Sequence, residues 1–349
     1  MVFAMAYRCA VVGGSGYTGA ELLRLLDGHP EIEVVHVTAD SNAGTPVRSL
    51  YPSLGPAYPH VELEALDPAG LDGLDLAFLA LPHGESQTLV PALAGRVGHV
   101  VDLGADFRLP AAAYEAWYGK AHGAPELLDA FAYGLPELFR DTITPAVHIA
   151  APGCYPTAAA LALAPALAAG LVEPAGIVVN AMSGISGRGR GLSAASLYSE
   201  ANESATAYGL LTHRHTGEIE HALARAHGAE VEVLFTPHLV PMTRGILATC
   251  YARPAVGTLT SEQVLDAYAT HYADEPFVVV TDESPVTKAT LGSNACHVTA
   301  RYDDRTGAVL AIAALDNLVK GAAGQAIQAA NRVLGLPEPT GLPLLGLMP

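Results

Sequence analysis

Basic residues are scarce in this chain: 18 lysines and arginines stand against 35 aspartates and glutamates, a formal charge of −17. A field of that sign repels polyanions, so neither nucleic acid nor an anionic membrane surface is an expected partner. Any anionic substrate then needs a local basic pocket. Cysteine is as sparse. Cys9, Cys154, Cys250 and Cys296 lie far apart with no CxxC pair, which argues against a metal site or a disulfide framework and for a reducing compartment. No apolar run approaches the length of a membrane span, and Met1–Ala6 is too short and uncharged for a signal peptide. There is no internal repeat and no low-complexity linker. The expectation is a soluble cytoplasmic protein.

Half of the 349 residues are hydrophobic and 15% are charged, which excludes a disordered chain and leaves room for two domains. The first half carries a dinucleotide-binding pattern. The apolar run Arg8 to Val12 enters Gly13-Gly14-Ser15-Gly16-Tyr17-Thr18-Gly19, and positions 14, 16 and 19 spell GxGxxG. A helix with Leu22, Leu23, Leu25 and Leu26 as its stripe follows, stopped by Gly28-His29-Pro30. Val34 to Thr38 is the next strand, and Asp40-Ser41 closes the βαβ unit. Glycines there let the backbone approach a pyrophosphate at the helix N-terminus. Asp40 favours a free ribose hydroxyl (NAD), whereas Ser41, Asn42 and Arg48 would suit a 2′-phosphate (NADP). Leu74 to Leu81 and Val97 to Leu103 are further strands, ending in Pro82-His83-Gly84-Glu85 and Gly104-Ala105-Asp106-Phe107-Arg108. Ligands bind at such carboxyl ends, so Arg108 is a candidate anion binder.

The stretch Ala151-Pro152-Gly153-Cys154-Tyr155-Pro156-Thr157 organises the chain. An apolar run from Val147 leads in and an alanine- and leucine-rich helix leads out, with Pro156 in its first turn. A thiol at that point meets the positive end of a helix dipole, which favours the thiolate. Cys9, Cys250 and Cys296 lie in apolar strand candidates and read as core thiols.

Beyond Cys154 the strands are spaced differently and read as antiparallel: Ile177 to Ala181, Val231 to Phe235, Ile246 to Arg253, His297 to Tyr302 and Val309 to Leu315. Helices are expected at Ser261 to Tyr272 and Asn317 to Leu334. The expected fold is therefore an α/β Rossmann-type dinucleotide-binding domain plus an α+β catalytic and oligomerisation domain with a mixed, largely antiparallel sheet. The first would take residues 1–150 and a C-terminal return at 321–349, the second residues 151–320.

Three clusters in this half could carry chemistry. Ser183-Gly184-Ile185-Ser186-Gly187-Arg188-Gly189-Arg190-Gly191 can hold phosphate or carboxylate through backbone N–H groups and guanidinium forks. His213-Arg214-His215-Thr216-Gly217-Glu218 offers an acid/base for Cys154, and no third ligand is spaced for zinc. Pro237-His238-Leu239-Val240-Pro241-Met242-Thr243-Arg244-Gly245 reads as a stiff wall. A nicotinamide domain, a thiolate and a histidine together suggest reduction of an acyl group held as a thioester.

These motifs resemble those of the N-acetyl-γ-glutamyl-phosphate reductase family. The likeness rests on GGSGYTG at 13–19, LPHG at 81–84, DFR at 106–108, APGCYPT at 151–157, HRHTGEI at 213–219, PHLVPMTRGI at 237–246 and NLVKGAAGQ at 317–325. The resemblance implies NADP(H)-dependent reduction of a small acyl phosphate, N-acetylglutamyl 5-phosphate, to its semialdehyde in arginine biosynthesis. It implies a cytoplasmic homodimer or homotetramer assembled through the second domain. It makes Cys154 the nucleophile and His215 the acid/base, with His213 competing for that role, and it assigns no metal. Arg108, Arg190, Ser183 and Gly184 fall on the substrate side. Gly13, Gly16, Tyr17, Thr18, Gly19, Ser41, His83, Gly84, Ser186, Gly187 and Asn317 fall on the cofactor side. Many family members carry arginines just after the second strand, where this chain has Asp40 and Ser41. The alternatives are the aminoadipyl-phosphate reductase of lysine biosynthesis, a cofactor-independent Cys/His hydrolase and a non-catalytic dinucleotide-binding regulator.

Overall fold

Six short strands rich in buried aliphatic residues open the chain: β1 (Tyr7–Val12), β2 (Ile32–Thr38), β3 (Leu74–Leu79), β4 (Val97–Asp102), β5 (Phe131–Tyr133) and β6 (His148–Ala150). They pair in parallel in the order β2-β1-β3-β4-β6-β5. Parallel sheets are covered on both faces, which is why these strands read as apolar runs rather than alternating ones. The helix Tyr17–Asp27 buries Leu22, Leu23, Leu25 and Leu26 and ends at Gly28. Phe107 and aliphatic residues of β1, β3, β4 and the helix Ser86–Leu93 close one side of the core.

The computed structural model describes residues 6–349, so most of the Met1–Ala6 reading lies outside the described residues. The chain divides into two units. One runs to Pro152 and resumes at Ala322–Leu342; the other takes Gly153–Gly321 and Pro343–Pro349. In the first unit the helix Gly324–Val333 returns with a row of buried amides. Gln325 donates to the Gly134 carbonyl (2.8 Å), Gln328 to Glu137 (3.0 Å), and Asn331 to the carbonyls of Glu338 and Thr340. A buried amide left unbonded would cost about 1–3 kcal/mol, so these bonds fix the helix in one register. The final residues differ from expectation. Pro343–Pro349 lie with the second unit, where Asn294 N–H donates to the Pro343 carbonyl and Leu347 N–H to that of Leu291.

The second unit is built on β7 (Ile177–Ser183), β8 (Thr206–Ala207), β9 (Val233–Leu239), β10 (Ile246–Ala252), β11 (Val278–Val280), β12 (Cys296–Asp303) and β13 (Ala308–Leu315). Their order is β11-β12-β13-β10-β7-β9-β8. Four of the pairings are antiparallel, but β7–β9 and β11–β12 are parallel. The parallel β7–β9 pair has a physical cause that the motif reading hid: HRHTGEI begins a helix, His215–His227, in the connection between those strands. Parallel neighbours need such a connection.

Helices Cys154–Ala168, His215–His227 and Ser261–His271 pack on one face of this sheet. Residues Tyr155 to Leu167 of the first are all buried, so its lack of amphipathic pattern reflects burial on every side. The opposite face shows apolar side chains to solvent. Val178 of β7 pairs with Tyr251 of β10 and Leu234 of β9, setting Tyr251, Val178 and Leu234 in one row, and Met182 lies further along. The expected helix Asn317 to Leu334 is broken into a π-helix at Val319–Ala323 and an α-helix from Gly324. No helix among the described residues is long and apolar enough to cross a membrane.

Candidate active site

Within the first unit, the glycine turn after β1 is shaped by backbone approach. Gly13 has φ +93°, and a Cβ there would lie 2.3 Å from the Ala80 carbonyl oxygen. A Cβ on Gly14 would meet Val37 at 2.4 Å, and one on Gly19 would meet the Gly13 carbonyl oxygen at 2.3 Å. Gly16 is different. It caps the helix Tyr17–Asp27 without a side-chain bond, and a Cβ there would touch nothing nearer than 3.7 Å. The fold itself needs Gly13, Gly14 and Gly19, whereas Gly16 keeps the approach to the helix N-terminus bare. Tyr17 and Thr18 form its first turn. Such a cradle fits a dinucleotide pyrophosphate. Asp40 and Ser41 are exposed beyond the end of β2, and Arg48 sits exposed on the short helix Val47–Leu50.

The strand ends of the same unit are held by two aspartates. Asp106 accepts the Gly84 N–H with both carboxylate oxygens (2.8 and 2.9 Å) and the Gln87 N–H at 3.3 Å. This ties the His83-Gly84 loop to the strand end after β4, and Gly84 takes φ +96° there. Asp102 is fully buried, and burial pushes its carboxyl up to about 6 although Ser86 and Gly104 donate to it. Arg108 folds back: it is 7% exposed and donates from Nη2 to the Leu103 carbonyl at 2.8 Å.

In the second unit, Cys154 is the first residue of its helix and half-buried, while Cys9, Cys250 and Cys296 are fully buried. Burial pushes the thiols of Cys9 and Cys250 far up, leaving Cys154 as the accessible thiol. The turn before it is fixed across 65 residues. Buried Glu218 accepts the Gly153 N–H at 2.8 Å, and Thr157 closes the first turn onto the Gly153 carbonyl. Glu218 lies in the first turn of the histidine-bearing helix, so one hydrogen bond joins the Cys154 turn to that helix. The sequence reading held Glu218 within the HRHTGEI run but gave it no role of its own.

Tyr155, the residue after the nucleophile candidate, packs against both histidines. Its ring meets those of His213 and His215 edge-on at 5.8 and 5.9 Å, and the two imidazoles are 4.9 Å apart. Tyr155 donates to the His238 carbonyl and receives a bond from Tyr208, over whose ring Arg188 sits. His213 Nδ1 accepts the backbone N–H of His215 at 3.2 Å, so the neutral ring carries its proton on Nε2. Burial, reinforced by the Arg214 charge, pushes the His213 imidazole from 6.5 down to about 4. Between those values the unfolded chain binds a proton that the folded ring refuses. Stability therefore falls as pH drops from 6.5 toward 4. The expected result is that His213→Asn flattens the pH dependence of the urea midpoint between pH 7 and pH 5. An unchanged slope would contradict the neutral assignment.

The glycine-rich loop after β7 is less open than its composition implies. Ser183 is buried with its hydroxyl bonded to the Gly184 carbonyl. The N–H groups of Gly184, Ile185 and Ser186 donate to the carbonyls of Gly245, Met242 and Thr243. A Cβ on Gly184 would come 2.7 Å from the Thr243 carbonyl oxygen, so glycine is needed for that approach. Asn317 ties the same two loops, accepting the Gly245 N–H (2.7 Å) and donating to Ser186 Oγ (3.0 Å). Gly187 lies near that amide, and the loop is exposed from Gly187 to Gly191, with Arg190 among the exposed residues. The wall-like turn holds a residue that sequence reasoning missed: Arg244 reaches buried Asp316 at 3.5 Å. No cluster of three metal-ligating side chains occurs among the described residues.

Residues 8–146 match the family described as semialdehyde dehydrogenase, NAD binding domain, and residues 154–317 match semialdehyde dehydrogenase, dimerisation domain. Among solved structures, aspartate semialdehyde dehydrogenase II of Vibrio cholerae complexed with ASA superposes with a TM-score of 0.72 at 15% identity, over 95% of this chain and 99% of that one. Aspartate semialdehyde dehydrogenase of Candida albicans with NADP gives 0.68 at 16% identity, over 95% and 98%. At such identities the likeness is one of fold. Together with the matched domains it defines the class, a semialdehyde dehydrogenase. Within that class, the N-acetyl-γ-glutamyl-phosphate reductase of Symbiobacterium thermophilum is 51% identical over 342 residues, 97% of this chain and 98% of its own length. That of Desulforudis audaxviator is 48% identical over 346 residues, 98% and 99%. The chain belongs to the N-acetyl-γ-glutamyl-phosphate reductase family.

Proposed function

We propose that this protein reduces N-acetyl-L-glutamyl 5-phosphate to N-acetyl-L-glutamate 5-semialdehyde and phosphate, a step of arginine biosynthesis in the cytoplasm, using NADPH. The observation that carries the reading is the Cys154 turn, where the accessible thiol heads a buried helix and is joined through Glu218 to the helix that bears His215. The thiolate attacks the acyl carbon, the C–O bond to phosphate breaks, and a thioester remains on Cys154. Bound NADPH supplies the hydride that reduces the thioester carbon. His215 gives a proton to the carbonyl oxygen and takes it back as the C–S bond breaks and the aldehyde departs. His213, neutral with its Nδ1 occupied, keeps its own proton on Nε2 and is not the carrier. Arg190 and Arg108 recognise the substrate's carboxylate and phosphate, with Ser183 and Gly184 shaping the loop before Arg190.

Gly13, Gly16, Gly19, Tyr17 and Thr18 would hold the cofactor pyrophosphate, with Ser41 at the adenosine end and His83, Gly84, Ser186, Gly187 and Asn317 toward the nicotinamide. Asn317 serves there by fixing the Ser186 loop. The two kinds of glycine separate by experiment. Gly16→Val keeps the melting temperature within a few degrees yet abolishes NADPH binding in a fluorescence titration, because its Cβ clashes with nothing but the ligand's path. Gly19→Val lowers the melting temperature strongly. A Gly16→Val chain that binds NADPH normally would contradict the cradle.

The row of exposed Leu234 and Tyr251 flanking half-buried Val178 supports dimerisation through the second unit's sheet. Leu234→Glu is expected to shift the sedimenting species to monomer, and an unshifted oligomer would place the interface elsewhere. The substrate reading is tested in the reverse direction by offering N-acetylglutamate semialdehyde and its one-carbon-longer aminoadipate homologue, each with phosphate and with NADP or NAD. The expected result is fastest NADPH formation with the glutamate compound. Preference for the aminoadipate homologue would assign the lysine-pathway reaction.

A further inference from the structure

We propose that Gly321 is a positioning residue for Cys154. The π-turn Val319–Ala323 presses the bare face of this glycine against the nucleophile and so holds the thiol in its reactive orientation. The proposal rests on the reading of Cys154 as nucleophile. A Cβ on Gly321 would lie 2.8 Å from Cys154 Cβ and 3.2 Å from Cys154 Cα, with the Asp316 carbonyl oxygen at 3.3 Å. Side chains do not approach a Cβ to 2.8 Å, and neither partner is the far end of a flexible chain. Backbone conformation does not require glycine here, because Gly321 is not among the glycines with positive φ. A helix interior otherwise favours alanine over glycine. Space against Cys154 is the reason that remains.

The turn that delivers Gly321 is itself unusual and firmly anchored. Gly321 N–H donates to the Asp316 carbonyl at 2.9 Å, five residues back, which is the widened spacing of a π-helix. Asp316 is fully buried. Its Oδ1 accepts the N–H groups of Leu318 and Val319, and its Oδ2 accepts that of Gly292 at 2.7 Å and faces Arg244. Asn317, the next residue, ties the Gly245 turn and Ser186. The π-turn is thus fixed at its start from several directions. Relaxing it to an α-turn would swing the residues after it by about 100° around the axis and carry Gly321 off Cys154.

The test is a double-variant cycle on the full chain combined with kinetics. Gly321→Ala is made in the natural chain and in a Cys154→Gly chain, where the Cβ at 2.8 Å is gone. Urea midpoints are then compared. The contact predicts that Gly321→Ala lowers the midpoint in the natural chain and by less than half as much in the Cys154→Gly chain. Equal lowering, or failure to fold in both backgrounds, overturns it. This arm needs no substrate, so it reads the contact whether or not the reductase reading holds. In the Cys154-containing chain, Gly321→Ala is further expected to lower kcat for the semialdehyde at least tenfold while KM changes less than twofold. Alkylation of Cys154 by iodoacetamide should slow in parallel, and it is read cleanly because the other three thiols are buried. Unchanged kcat and alkylation in a folded Gly321→Ala chain would reduce the contact to packing and overturn the positioning role.

Discussion

Cys154→Ser lowers the reductase rate by at least about 10³-fold, the scale of losing a covalent nucleophile, and leaves NADPH binding and the melting temperature nearly unchanged. The substitution alters one atom at the head of a helix whose side chains from Tyr155 to Leu167 are all buried. What changes is ionisation. The dipole that favours a thiolate at a helix N-terminus cannot bring a serine hydroxyl near neutral pH. The other cysteines cannot substitute, since burial pushes Cys9 and Cys250 up and Cys296 is fully buried. A Cys154→Ser enzyme retaining a tenth of the rate would remove the thioester from the account. The measurement is steady-state formation of NADPH from the semialdehyde, phosphate and NADP, alongside a fluorescence titration of the cofactor.

The second large effect concerns the proton. His215→Asn is expected to lower kcat by about 10²–10⁴-fold, the usual contribution of a positioned acid/base, with little change in KM. His213→Asn should cost less, because its Nδ1 is already bonded to the His215 backbone and its ring is held neutral by burial and Arg214. Asparagine keeps a polar side chain of similar reach but cannot cycle a proton. A larger loss for His213→Asn than for His215→Asn would transfer the proton to His213. The pH profile of kcat provides a second reading, since its acid limb should disappear in the variant that removes the carrier.

Much of this arrangement was legible in the sequence where the chemistry is local. GGSGYTG declares itself because one short turn holds three glycines with no room for a Cβ: Gly13 against the Ala80 backbone, Gly14 against the Val37 side chain and Gly19 against the Gly13 carbonyl. Cys154 was legible for the same reason, because an apolar run, a Pro-Gly turn and a helix lie within a few residues of it. The contacts that were not legible join distant segments. Glu218 holds Gly153 from 65 residues away, and Arg244, just before β10, meets Asp316, just after β13. No periodicity marks such pairs. HRHTGEI was read for its side chains, and its role as the start of the helix between β7 and β9 went unseen, so the strands at Ile177 and Val231 were counted among the antiparallel ones of a mixed sheet. Asn317 stood out as part of a motif, but only the fold shows that both ends of its amide tie loops together. The π-turn could not be read from NLVKGAAGQ, since its extra residue per turn arises from the anchoring of Asp316.

The central claim is that Cys154 carries the acyl group before reduction. It is tested by mixing the protein with N-acetylglutamyl phosphate in the absence of any nicotinamide cofactor and analysing the products by rapid-quench phosphate release and peptide mass spectrometry. The account predicts a burst of about one phosphate per chain and an N-acetylglutamyl adduct on the peptide containing Cys154, both absent from Cys154→Ser. Phosphate release that waits for NADPH, with no adduct on that peptide, would contradict it.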